Sequence, residues 1–98
     1  MARRQRRTGW SSDELRSEIE DGIVISQGRG GILHVRASGR PMKLHGLDAS
    51  VAEDMNEALS HVRRWAKENS YYPNIFYVNE RGNVDLITSR GRIIESWV

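Results

Sequence analysis

Between Val51 and Ala66 the apolar residues Val51, Met55, Leu59, Val62 and Ala66 recur at helical spacing, with Ala58 and Trp65 flanking the stripe. This is the strongest periodic signal in the chain, and it sets what the rest must pack against. Ser50-Val51-Ala52-Glu53 has the spacing of a capping box, in which a serine and a glutamate satisfy each other's backbone N–H groups. Arg63, Arg64 and Lys67 lie toward the far end, where cations suit the helix dipole. Asn69 and Pro73 mark the stop. The spacing predicts a helix over about 51–68.

A first, shorter helix is predicted from Ser12 to Asp21. Ser11 stands as N-cap, Glu14 at the third helical position and Gly22 beyond the end. Trp10 and Leu15 take the two positions of a hydrophobic staple. Its apolar stripe is thin, with Leu15, Ile19 and Ile23 only, so it must lean on another element to persist. Ile23–Ser26 reads as a strand and Gln27–Gly31 as a turn. Ile32–Ala37 and Met42–Leu47 read as a hairpin around Ser38-Gly39-Arg40-Pro41. That register sets Ala37 opposite Met42, Arg36 opposite Lys43, Val35 opposite Leu44 and His34 opposite His45, so one face is apolar and the other basic. After the long helix, Ile75–Asn79, Val84–Thr88 and Arg92–Val98 read as a meander of strands. Pairing Phe76 with Leu86 and Val78 with Val84 gives it one apolar face.

A chain of 98 residues holds one domain, read here as residues 10–98 behind a flexible basic arm, residues 1–9. The predicted class is α+β, in the order α-β-β-β-α-β-β-β. The simplest architecture packs two sets of antiparallel strands on the one long amphipathic helix. The order of the first five elements is similar to that of a double-stranded-RNA-binding domain. The second helix departs from that pattern, since it opens on Ser50, Glu53 and Asp54 where such domains place basic residues, and no residue role is carried over. No apolar run approaches the roughly 18 residues of a membrane span. The Arg-rich start is not followed by the apolar stretch of a secretory signal. Without cysteine, disulfides, thiolate metal sites and cysteine nucleophiles are excluded. A cytoplasmic location is expected.

Several chemistries are absent from the pattern. Metal-dependent nucleases that share an α-β-β-β-α-β order need acids on the central strands to hold a cation at the scissile phosphate. No Asp or Glu lies between Ile23 and Leu47. His34 and His45 would face each other in the hairpin, but no third ligand accompanies them. Gln27–Gly31 could cradle a phosphate with backbone N–H groups, yet it does not open onto a helix N-terminus. No motif places a serine beside a base. The expected protein is not an enzyme and uses neither metal nor cofactor.

Charge is the informative feature. The net value of +2 hides a strong segregation along the chain. Arg3, Arg4, Arg6 and Arg7 form the arm. Residues 11–22 carry Asp13, Glu14, Glu18, Glu20 and Asp21 against Arg16 alone. Residues 23–47 carry Arg29, Arg36, Arg40 and Lys43 with no acid. Local fields of this kind, more than the total, steer partners. Like charges opposite one another on a hairpin are destabilising, so the basic face calls for an anion. That anion can be a nucleic-acid backbone, an acidic protein, or the chain's own Glu18 and Glu20. The leading expectation is nucleic-acid binding through the arm, Arg29, His34, Arg36, Arg40, Lys43 and His45, with Tyr77 available to stack on a base. The rival is a protein-binding regulator or inhibitor of the kind that phages and mobile elements direct at a host protein. A third reading is a small virion or structural subunit. The last strand carries apolar residues on both faces, an edge through which two copies could pair as a homodimer.

Overall fold

A computed structural model describes residues 8–37 and 50–98. It is a small α+β fold with two helices and one six-stranded mixed sheet. Helix α1 spans Ser12–Asp21. Strand β1, Ile23–Gln27, leads through a short 3-10 turn at Arg29–Gly31 into β2, Leu33–Ala37. Strand β3 is Ser50–Ala52 and helix α2 is Met55–Asn69. Strands β4, Ile75–Val78, β5, Val84–Ile87, and β6, Ile93–Trp97, follow.

Helix α1 begins as its residues dictate. The Ser11 hydroxyl accepts from the Glu14 N–H at 3.2 Å, and Glu14 Oε1 accepts from the Ser11 N–H at 3.1 Å. That backbone hydrogen bond, and then the Ser11 side chain, hold the Glu14 carboxyl below its ordinary range. A lowered carboxylate contributes stability above its unfolded value and loses it as pH falls through the folded one. Ser11→Ala is expected to cost about 0.5–2 kcal/mol, read as a lower melting midpoint near pH 7. The difference between variant and parent should narrow only slightly in acid, because only the smaller, Ser11 side-chain part of the Glu14 lowering is lost in the variant.

The long helix departs from the sequence expectation at its start. Asp54, not Ser50, is the N-cap, and its carboxylate accepts from the Glu57 N–H at 2.8 Å. Ser50–Ala52 is instead an edge strand paired antiparallel with β2. The physical reason lies in which side each residue buries. As strand residues, Ala52 is buried under α2 while Val51 turns to the other face and stays 51% exposed. Within α2, Ala58, Leu59, Val62, Trp65 and Ala66 are buried, as the stripe predicts. The helix ends on Ser70, held left-handed at φ 50° with its N–H donated to the last carbonyls. A left-handed residue with a side chain carries a penalty of roughly 1–2 kcal/mol that glycine avoids. Ser70→Gly should therefore raise stability by up to about 1 kcal/mol in a denaturant melt, net of glycine's larger unfolded-state entropy.

The sheet order is β3-β2-β1-β4-β5-β6, with β1 and β4 parallel and all other neighbours antiparallel. This corrects the expectation of two separate antiparallel sets, because the parallel pair at the centre joins them. It also corrects the hairpin. In β2, His34 stands opposite Ser26 on one side and Val51 on the other, and Val35 opposite Ile25 and Ser50. The positions assigned to His45 and Leu44 are thus taken by β3. The strand expected at Met42–Leu47 and its register with Ala37 and Arg36 fall outside the described residues. The meander is as read: Phe76 pairs with Leu86 and Val78 with Val84.

The pairings sort the side chains into two faces. Ile23, Ile25, Leu33, Val35, Ala52, Ile75 and Ile87 form the main core with α2. The other face bears Phe76 and Leu86, both buried, near Trp10. The Trp10 ring lies 6.2 Å from Phe76 and stacks at 6.0 Å on Trp97. The expected staple residue therefore serves as the cover of a second, smaller apolar cluster. Asn74 Nδ2 donates to Glu18 Oε1 at 3.0 Å and ties α1 to the entry of β4.

Candidate polyanion interface

One cross-strand row on the face opposite α2 organises the site. It runs Glu95, Leu86, Phe76, Val24, Arg36, each directly opposite the next. The β6 end of this face lies under Trp10. The β2 end is open: Arg36, His34 and Val51 are exposed, and Val24 and Ser26 are half-buried. Strand alternation puts His34 and Arg36 on that same face, about 7 Å apart along β2.

Arg29 is exposed on the 3-10 turn next to His34. That turn is built for close approach. A Cβ on Gly28 would sit 2.7 Å from His34 Nε2, so only glycine lets the imidazole lie over the backbone there. The Gly28 N–H donates to the Ile32 carbonyl at 2.8 Å. The loop therefore already uses backbone N–H capacity that a phosphate cradle would need.

Glu95, at the other end of the row, is a residue that sequence reading passed over. Its Oε1 accepts from both the Thr8 N–H, at 2.9 Å, and the Thr8 hydroxyl, at 3.0 Å. Its Oε2 is buried with no hydrogen-bond partner among the described residues. The chain is thereby fixed at Thr8, the residue that follows the arginine run, on the same sheet face as Arg36. The available signal was an acid between apolar Ile93 and Trp97 in the alternation of the strand, although the register shift between Leu86 and Ile87 sends Ile93 to the face opposite Glu95.

Other expected site residues are not brought together. Tyr77 pairs with Ile25 and Asp85, which puts it on the α2 face, across the sheet from Arg36 and His34. Its hydroxyl donates to Gln27 Oε1 at 2.8 Å. Burial first, and then Asp85 and Glu80, raise its pKa above the ordinary tyrosine value. Arg3, Arg4, Arg6, Arg7, Arg40, Lys43 and His45 lie outside the described residues. His34 itself stands opposite Ser26 and Val51. Among the described residues no group of three or more His, Asp or Glu could hold a metal ion, and no helix is long and apolar enough to cross a membrane. No protein-family model, curated protein or solved structure matches the chain.

Proposed function

We propose that this is a small non-enzymatic nucleic-acid-binding protein that uses its arginine arm and the open basic face of β2 together. The observation that carries the reading is the Thr8–Glu95 anchor. It roots the arm on the face that bears Arg36 and His34. Four inter-strand spacings separate β6 from β2, or about 19 Å. Seven residues, fully extended, reach about 24 Å. The arm can therefore reach from Thr8 across the covered middle of the face to its open β2 end, where one phosphate backbone can meet both the arm and Arg36. Charges from separate elements that converge on one ligand add phosphate contacts without a preformed pocket. Such contacts position a backbone and carry no base preference. Mobility shifts with duplex DNA and RNA across a salt series test the reading. Binding that weakens steeply with salt supports it, and negligible binding near physiological salt overturns it in favour of an acidic protein partner.

A second protein-binding reading, separate from an acidic partner at the arm and β2, is favoured by a groove beside α2 on the other face of the sheet.

A further inference from the structure

A groove of about 480 Å³ runs along the second half of α2 where it meets the start of β4 and the end of β5. Val62, Ala66, Ile75 and Ile87, all buried, make its floor, and the exposed Arg63 and Lys67 stand on its rim. None of its lining residues is acidic, and the acid seen to bond a lining residue, Glu18, accepts from Asn74 on the β4 side, away from Arg90 and Arg92. The volume falls within the roughly 300–1,000 Å³ of ordinary ligand sites.

The cationic rim continues beyond the groove onto the β5–β6 turn. Arg63 Nη1 donates to the Ser89 carbonyl at 2.7 Å and clamps that turn to α2. Gly91, at φ +89°, seats the turn so closely that a Cβ there would lie 3.2 Å from Leu59 Cδ1. The Thr88 hydroxyl accepts from the N–H groups of Arg90 and Arg92. Arg90 and Arg92 are thus carried, both exposed, on a turn fixed beside Arg63 and Lys67. The acids of α2 stand elsewhere, with Glu57 in the first turn and Glu68 four residues after Arg64, off the groove-lining positions.

We propose that this groove docks an acidic peptide segment of a partner protein. One large apolar side chain of the segment seats on the floor, and its carboxylates meet Arg63, Lys67, Arg90 and Arg92. A phosphate backbone would use the cations but leave the apolar floor in water. A single fatty-acid carboxylate would use the floor but only one or two of the cations, which extend over two elements. Tyr72, 75% exposed among the lining residues, offers an aromatic face to a docked segment. An apolar anchor in a pocket ringed by complementary charge is the usual form of a peptide hot spot. The inference is independent of phosphate contact at the arm and β2.

The test is amide chemical-shift mapping on the full 98-residue chain. The probe is a synthetic peptide of about twelve residues with a central leucine and phenylalanine among aspartates and glutamates. The expected result is saturable shifts at Val62, Ala66, Ile75 and Ser89. The same peptide with Asn and Gln for its acids should bind at least about tenfold more weakly, as should the acidic peptide to Lys67→Glu. Tyr72→Ala, at an exposed position, gives a second variant should Lys67→Glu melt early, and it should also weaken binding. Arg36→Glu should leave the affinity unchanged. No groove shifts at millimolar peptide, or equal binding of the acidic and amide peptides, would overturn the proposal. So would groove shifts with decanoate or a single-stranded oligonucleotide but not with the acidic peptide.

Discussion

Leu59→Ala is expected to lower stability by about 2–5 kcal/mol, the usual cost of emptying a well-packed leucine site. Leu59 is 1% exposed, with the sheet beneath it and Gly91 of the β5–β6 turn beside it. Three elements close around this one side chain, so little can collapse into the space it leaves. Against a total of roughly 5–15 kcal/mol for a domain, the loss is large. For about 100 residues it corresponds to a melting midpoint lower by something on the order of 10–30 °C. Val51→Ala is the informative control. A helix begun at Val51 would put that residue in the same buried stripe and give it a comparable cost. As an edge-strand residue half open to solvent, it should cost under about 1 kcal/mol. Thermal and denaturant melts of the two variants side by side read the difference. Equal losses would mean that the helix starts a turn earlier than described and that β3 does not form.

That contrast also shows how much of the fold is legible in the sequence. Local chemistry reads well. The Ser11–Glu14 box, the Met55–Ala66 stripe and the Phe76–Leu86 pairing each depend on residues close in the chain or on one alternation pattern. Ser50–Glu53 and Asp54–Glu57 carry equivalent capping signals, and local rules cannot rank them. Tertiary burial decides, because Ala52 fits under α2 while Val51 suits an open face. The parallel β1–β4 pair is invisible for the same reason. It joins segments about 50 residues apart, and no local pattern encodes their register. The candidate site inherits both results. The placing of His34 and Arg36 on one face follows from alternation in β2 alone. Their neighbours Ser26 and Val24 come from the β1–β2 hairpin across the Gly28–Ile32 turn, and Val51 from a strand further along the chain. Tyr77 opposes Phe76 by alternation, but that it faces away from Arg36 follows only from the parallel register. Glu95 gains its meaning from Thr8, at the far end of the chain.

Deleting residues 1–7 should remove up to four phosphate contacts and flatten the log–log salt dependence of duplex binding by about 3.6, at roughly 0.9 per phosphate neutralised. Between 50 and 200 mM salt, four contacts account for about a 150-fold change in affinity, so the deletion should erase most of that sensitivity. Arg36→Glu should weaken binding to all sequences alike and change the slope by about 1, since a phosphate contact carries no base preference. Its effect should add to that of the deletion if arm and face meet the same backbone through separate contacts. Glu95→Ala separates geometry from charge. It removes an acid, so electrostatics alone predicts tighter binding to a polyanion. It also frees Thr8 from β6, so the arm loses its root on the basic face and its effective concentration there falls. Weaker binding by Glu95→Ala, with the slope nearly unchanged and the fold intact by its melt, is the outcome expected of an anchored arm. Tighter binding would reduce the arm to a mobile charge whose attachment point does not matter.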